Sequence, residues 1–166
     1  MNITYRTLRP EDAAKYRQLR LESLRQHPDM FGSSYLEQSQ LKKLMFERAI
    51  EERAGDRLMM GAWQGESLIG LCGFVAHNFY DVPKHGGIIQ MYVQDLYRGK
   101  RIGLALVRAT LEAAFGAFDI DGVVLEVKIH NERAIRVYRQ AGFERFEVDE
   151  AKVEPGAVYM RIGRVQ

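Results

Sequence analysis

The sequence predicts one α/β domain built on a mixed sheet, and three observations carry that reading. A strand–helix–strand succession spans residues 88–129, and such a crossover joins parallel neighbours. Upstream, two apolar strands at 58–63 and 67–77 flank Gln64, Gly65 and Glu66, which reads as an antiparallel hairpin. Residues 88–93, IIQMYV, are almost continuously apolar, as in a strand buried on both faces.

The remaining elements follow in order. Residues 2–8 alternate loosely around Ile3, Thr4 and Tyr5 and read as the first strand. Pro10, Glu11 and Asp12 open a helix, because proline suits a first turn and acids face its positive end. That helix runs to about Gln26 and is stopped near His27 and Pro28. Residues 29–36 read as a loop. A second helix is predicted over 38–53, with Leu41, Leu44, Met45 and Ala49 at helical spacing and Gly55 beyond its end. Residues 81–87, DVPKHGG, read as a turn. Leu104, Val107, Leu111 and Ala114 mark an amphipathic helix over 102–116. A strand follows at 123–129, then a helix from Asn131 to Ala141 closed by Gly142, then strands at 143–148 and 157–162. The order is βααβββαβαββ, a mostly antiparallel mixed sheet flanked by about four helices.

Composition narrows the function. The chain has 166 residues, 46% of them hydrophobic, enough for one domain with a real core. Twenty-four Lys and Arg against 22 Asp and Glu leave a net charge of +2, which gives no electrostatic case for nucleic acid or membrane. Residues 1–12 have no apolar signal core, and no apolar run is long enough for a span. Cys72 is the only cysteine, so no internal disulfide can form. A cytoplasmic protein is the simplest expectation.

Two segments carry chemistry. Tyr97-Arg98-Gly99-Lys100-Arg101-Ile102-Gly103 lies between the apolar strand and the amphipathic helix. A basic, glycine-bearing loop there points backbone N–H groups and the positive helix end at one spot, which suits a phosphate. Taken alone, it reads equally as a solvated basic turn. It is neither a P-loop nor a Rossmann fingerprint. The second segment runs from Asn131 to Phe143. Asn131 is a good N-cap, and Tyr138 lies two turns further on nearly the same face. Taken alone, Tyr138 reads as a core tyrosine.

In this order and spacing, the two segments resemble the GNAT superfamily of N-acetyltransferases. The family's acetyl-CoA loop, Arg/Gln-x-x-Gly-x-Gly/Ala, appears as Arg98-Gly99-Lys100-Arg101-Ile102-Gly103, followed by Leu104. The later pattern, Asn-x-x-Ala-x-x-x-Tyr-x-x-x-Gly-Phe, is complete at Asn131, Ala134, Tyr138, Gly142 and Phe143. The opening LRPEDAAKYRQLR also resembles the family's N-termini. One position departs: the family usually has glycine where this chain has Arg101.

The resemblance implies an acetyl-CoA co-substrate, no metal, and an amine acceptor, either a small molecule or a protein amino group. It implies that Met91, Tyr92 and Val93 offer backbone groups to the pantetheine arm. Strands 88–93 and 123–129 should then be parallel neighbours that splay at one end, since a fully paired strand has no free groups to offer. Tyr138 matches the family's general acid. Glu126 stands where the ribosomal-protein alanine acetyltransferases have their proposed base, though it reads equally as an ion-pairing carboxylate. Some members carry a glutamate near the start of the 88–93 strand; here Gly86, Gly87 and Gln90 stand there. His27, His77, His85 and His130 lack metal-ligand spacing. The acceptor side is implied to lie in residues 24–55, with Phe31, Tyr35 and Phe46 and an acidic rim of Glu37, Glu47, Glu51 and Glu52. A single domain over 1–166 is expected, and a homodimer is left open. The alternative to an enzyme is an acyl-CoA-binding regulatory module of the same fold.

Overall fold

The computed structural model describes residues 1–78 and 80–165; Phe79 and Gln166, part of the expected domain, lie outside the described residues. Seven strands form one sheet in the order β1-β2-β3-β4-β5-β7-β6. They are β1 (Thr4–Thr7), β2 (Arg57–Gln64), β3 (Ser67–Val75), β4 (His85–Val93), β5 (Gly122–Lys128), β6 (Glu144–Phe146) and β7 (Ala157–Gly163). Among the described residues only β4 and β5 run parallel. Five α-helices occur among the described residues: α1 (Ala13–Gln26), α2 (Tyr35–Ser39), α3 (Met45–Glu52), α4 (Ile102–Ala117) and α5 (Glu132–Ala141). None of them is long and apolar enough to cross a membrane.

Strand alternation distributes the apolar side chains to two faces. On one face Met60, Ala62, Cys72, Phe74, Val123, Leu125 and Val127 pack with Leu106, Val107 and Leu111 of α4 and Ala134 and Tyr138 of α5. On the other, Met59, Trp63, Leu71 and Tyr92 pack with Tyr16 and Leu19 of α1 and Phe46 and Ile50 of α3. The sheet is thus sandwiched between helix layers, the arrangement that buries both faces of a central sheet.

The helix predicted over 38–53 is two helices. Leu41 and Met45, expected in its apolar stripe, are 44% and 60% exposed, while Phe46 and Ile50 are buried. The break has a polar cause. Arg17 of α1 donates to the carbonyls of Leu41 (2.7 Å) and Lys42 (3.3 Å) and to Glu47 Oε1 (2.8 Å). Glu47 Oε1 also accepts from the Leu44 N–H at 2.9 Å and so starts α3. One arginine–glutamate pair, half-buried Arg17 with buried Glu47, therefore satisfies backbone groups that a continuous helix would have paired internally. Residues 85–87, read as part of a turn, are instead the start of β4, and β6 is shorter than its predicted 143–148.

Candidate active site

The site begins where the sheet fails. β4 and β5 pair only at His85↔Gly122, Gly86↔Val123 and Gly87↔Val124. Beyond that, β5 continues against β7 as far as Lys128, while β4 keeps its pairing with β3. The expected splay is present, and it opens at the C-terminal ends of both strands. A bulge in β4 accompanies it. The register on β3 passes from Gly73↔Ile89 to Leu71↔Tyr92, one residue more on β4 than on β3. Gln90 takes up the extra residue with φ +57°, left-handed backbone that non-glycine residues adopt reluctantly. Buried Tyr16 of α1 donates to Gln90 Oε1 at 2.5 Å and ties the bulge to the helix layer.

The gap opens into a cleft of about 670 Å³. Met91, Tyr92 and Val93 form one wall, and His130, Asn131, Ala134 and Val137 another. Arg98, Gly99, Arg101, Ile102, Gly103 and Leu104 close one end, and His27, Met30 and Phe31 cover the side toward α1. Ten of the predicted site residues therefore come together here. Lys100 is exposed and does not line the cleft, and neither does Tyr138.

The basic loop has the geometry of an anion cradle. Gly99 (φ +77°) and Arg101 (φ +61°, ψ 18°) are both left-handed, which turns successive N–H groups to one side. Arg101 is the N-cap of α4, so the first N–H groups of that helix have no partner within it. The departure at Arg101 is thus accommodated by the backbone: arginine adopts the conformation that glycine takes more cheaply. Part of the charge at Arg98 is spent on Asp95, 2.9 Å away.

Gly103 tests whether the cleft fits a phosphate-bearing ligand. Its φ is ordinary, so the backbone does not require glycine there. A Cβ built on it meets only Val137 and Val93 at 3.8–4.0 Å, both cleft-lining side chains. Alanine would fit the protein and favour the helix. The missing side chain leaves room on the cleft side, where a ligand backbone can approach.

Tyr138 is buried with its ring edge-on to Phe143 at 5.7 Å. None of the hydrogen bonds found among the described residues involves its hydroxyl, and burial raises its pKa well above the usual tyrosine value. Cys72, beside it, is pushed up to about 12 by burial, so it is a protonated core thiol and no nucleophile. Glu126 alternates with Leu125 and Val127, which face the α4–α5 layer, and therefore faces the opposite side. There Tyr80 donates to Glu126 Oε2 at 2.8 Å, and the Tyr80 ring stands edge-on to Tyr159 at 5.1 Å. Asn78 folds the loop that delivers Tyr80: its Oδ1 accepts from the N–H of Tyr80 and Val82, and its Nδ2 donates to the carbonyls of Val82 and His85. Sequence reading missed Tyr80, Tyr16 and the Gln90 bulge, because no local pattern marks contacts made across the fold.

Two of the four glutamates of the expected acidic rim are neutralised from within. Glu47 is 4% exposed and pairs with Arg17, and Lys43 pairs with Glu51 at 2.6 Å. Glu37 and Glu52 are exposed and take part in none of the ion pairs found among the described residues.

Fold and cleft together define an α/β protein with an anion cradle leading into a narrow, partly apolar slot between parted strands. Residues 17–143 match the model of the acetyltransferase (GNAT) family, and the chain belongs to that family. It is similar to an N-alpha-acetyltransferase of Sulfurisphaera tokodaii, 34% identical over 39% of each chain. It is also similar to N-alpha-acetyltransferase RimI of Mycobacterium tuberculosis, 33% identical over 52% of this chain and 51% of that one. The match thus spans about half or less of these curated relatives. Among solved structures, the PaiA N-acetyltransferase of Thermoplasma acidophilum in complex with coenzyme A superposes over 99% of this chain and all of the other, with a TM-score of 0.76 at 19% identity, a likeness of fold.

Proposed function

We propose that the chain is a single-domain cytoplasmic N-acetyltransferase that passes the acetyl group of acetyl-CoA directly to an amine. The observation that carries this reading is the parting of β4 from β5 beside the anion cradle. It leaves one edge of β4 unpaired along a slot that starts at the helix N-terminus. The family relationship supports the same reading. In it, the pyrophosphate takes the N–H groups of α4 and the nearby arginines, and the pantetheine amides pair with the free edge at Met91, Tyr92 and Val93.

Glu126 and Tyr138 lie on opposite sides of the sheet, and in this reading the chemistry is divided between them. The amine enters on the Glu126 side as an ammonium ion and gives one proton to that carboxylate, which frees the nitrogen lone pair. Its nitrogen attacks the thioester carbonyl carbon, and the carbon–sulfur bond then breaks. The departing sulfur takes a hydrogen bond and a proton from the Tyr138 hydroxyl. The nitrogen's second proton returns through solvent to the Tyr138 oxygen and the proton held by Glu126 leaves to solvent, so the sum is ammonium plus acetyl-CoA to amide, CoA thiol and one proton. The test is mass-spectrometric detection of N-acetyl product and free CoA from acetyl-CoA and a panel of amines and peptide N-termini. Acetyl-CoA binding with no acetylated amine in the panel would favour the regulatory module instead.

A further inference from the structure

Arg20 is a buried cation without a counter-ion. It lies on the inner face of α1 and is 7% exposed. Its Nη1 is shut off from water and has no hydrogen-bond partner. None of the ion pairs found among the described residues includes it. Carboxylates of the same helix layer are engaged elsewhere: Glu22 accepts from Tyr92 and Gln94, and Glu47 from Arg17. A guanidinium in that state is costly, and natural proteins seldom leave one so unless something arrives to pair with it.

Its position says what that something meets. The guanidinium stands 4.9 Å over the ring of Phe31, which lines the cleft and sits edge-on to Tyr92. One helical turn before it, Tyr16 holds Gln90 at the β4 bulge. Arg20 therefore packs behind the Phe31 wall of the cleft, one helical turn from the residue that holds the bulge. We propose that Arg20 is the anion-binding element of the acceptor subsite and that the acceptor is an amine whose own molecule carries a carboxylate. This rests on the acetyltransferase reading above. The carboxylate comes either from a free amino acid or from an acidic residue next to a chain N-terminus. Both present the same group to the planar guanidinium fork, which pairs with it through two parallel hydrogen bonds.

The test is calorimetric, on wild type and Arg20→Met saturated with CoA, and needs no turnover. One ligand pair is N-acetylalanine and N-acetylalaninamide. The other is N-acetyl-Ala-Asp-amide and N-acetyl-Ala-Asn-amide. Wild type should bind the charged member of one pair about tenfold or more tighter, as a charge-assisted pair allows, and the pair that discriminates identifies the source. Arg20→Met should bind both members alike, Arg20→Lys should recover part of the preference, and acetyl-CoA affinity should not change. Without ligand, Arg20→Met should melt no lower than wild type, since it removes an unpaired charge. Arg20→Gln repeats the comparison if the methionine variant folds poorly. Equal binding of charged and neutral members by wild type, or of neither, overturns the proposal, as does a preference that survives in Arg20→Met. Failure of the acetyltransferase reading has a separate signature, wild type that does not bind acetyl-CoA.

Discussion

Tyr80 donates its hydroxyl proton to Glu126 Oε2 across 2.8 Å, joining the loop before β4 to the middle of β5 at the parted edge of the sheet. The bond fixes one carboxylate oxygen, and the reaction proposed above assigns the substrate proton to the other. Glu126→Gln should lower kcat by about 10²–10⁴-fold, the usual range for a positioned general base. Tyr80→Phe should lower it by about tenfold, because the carboxylate survives but loses its anchor. Steady-state rates on one accepted amine check both. Unchanged kcat in Glu126→Gln would leave deprotonation to water.

Tyr138→Phe should reduce kcat more than acetyl-CoA affinity. Negative charge reaches the sulfur only as the thioester breaks, so a hydrogen bond to it acts in the transition state. The loss should fall near the low end of about 10²–10⁴-fold, since a thiolate leaves readily. The phenyl ring keeps its packing on Phe143, so the melting temperature should hold. Equal kcat in the two proteins would make Tyr138 a core residue only.

Arg101→Gly should stabilise the fold. Arg101 occupies φ +61°, where glycine has no Cβ penalty, and the gain is about 0.5–1 kcal/mol after the greater freedom of glycine in the unfolded chain. In a domain of this size that raises Tm by about 1–4 °C. The lost cation should weaken acetyl-CoA binding at the same time. Thermal melts with and without acetyl-CoA separate the two effects.

Asp12→Asn should show a pH-dependent loss. Asp12 accepts from Arg6 at 2.7 Å and from the Arg9 N–H at 2.8 Å, and the Arg6 hydrogen bond holds its pKa below the usual aspartate range. A carboxyl lowered on folding contributes stability above its unfolded pKa and loses it as pH falls through the folded one. Wild type should therefore exceed Asp12→Asn in stability at neutral pH, and the gap should close as pH falls through and below the usual aspartate range. Denaturant melts at a series of pH values check the sign.

The cleft was legible where function is written in consecutive residues. The loop from Arg98 to Gly103 and the helix from Asn131 to Phe143 each bring their own turn and cap. Gly142 ends α5 at φ +110°, as its place in the sequence predicts. The second helix misled because Leu41 and Met45 fit a helical stripe, whereas Arg17, far away in the chain, holds residues 41–44 out of the helix. Tyr80 with Glu126 and Tyr16 with Gln90 are pairs separated by 46 and 74 residues, which no local period reports. Arg20 looked like any arginine on an amphipathic helix; only packing shows that it is buried and unpaired.

Calorimetric titration of acetyl-CoA into wild type and Gly103→Asp tests the central claim most directly. Gly103 sits in the first turn of α4, where a Cβ would project between Val93 and Val137. Wild type should bind one equivalent, and a ligand at a hundred times its Kd should stabilise the fold by about 2.7 kcal/mol. Gly103→Asp puts bulk and negative charge where the phosphates belong and should weaken binding sharply while the protein stays folded. Wild type that takes up no acetyl-CoA, or a variant that binds it as tightly as wild type, would contradict the assignment of this cleft.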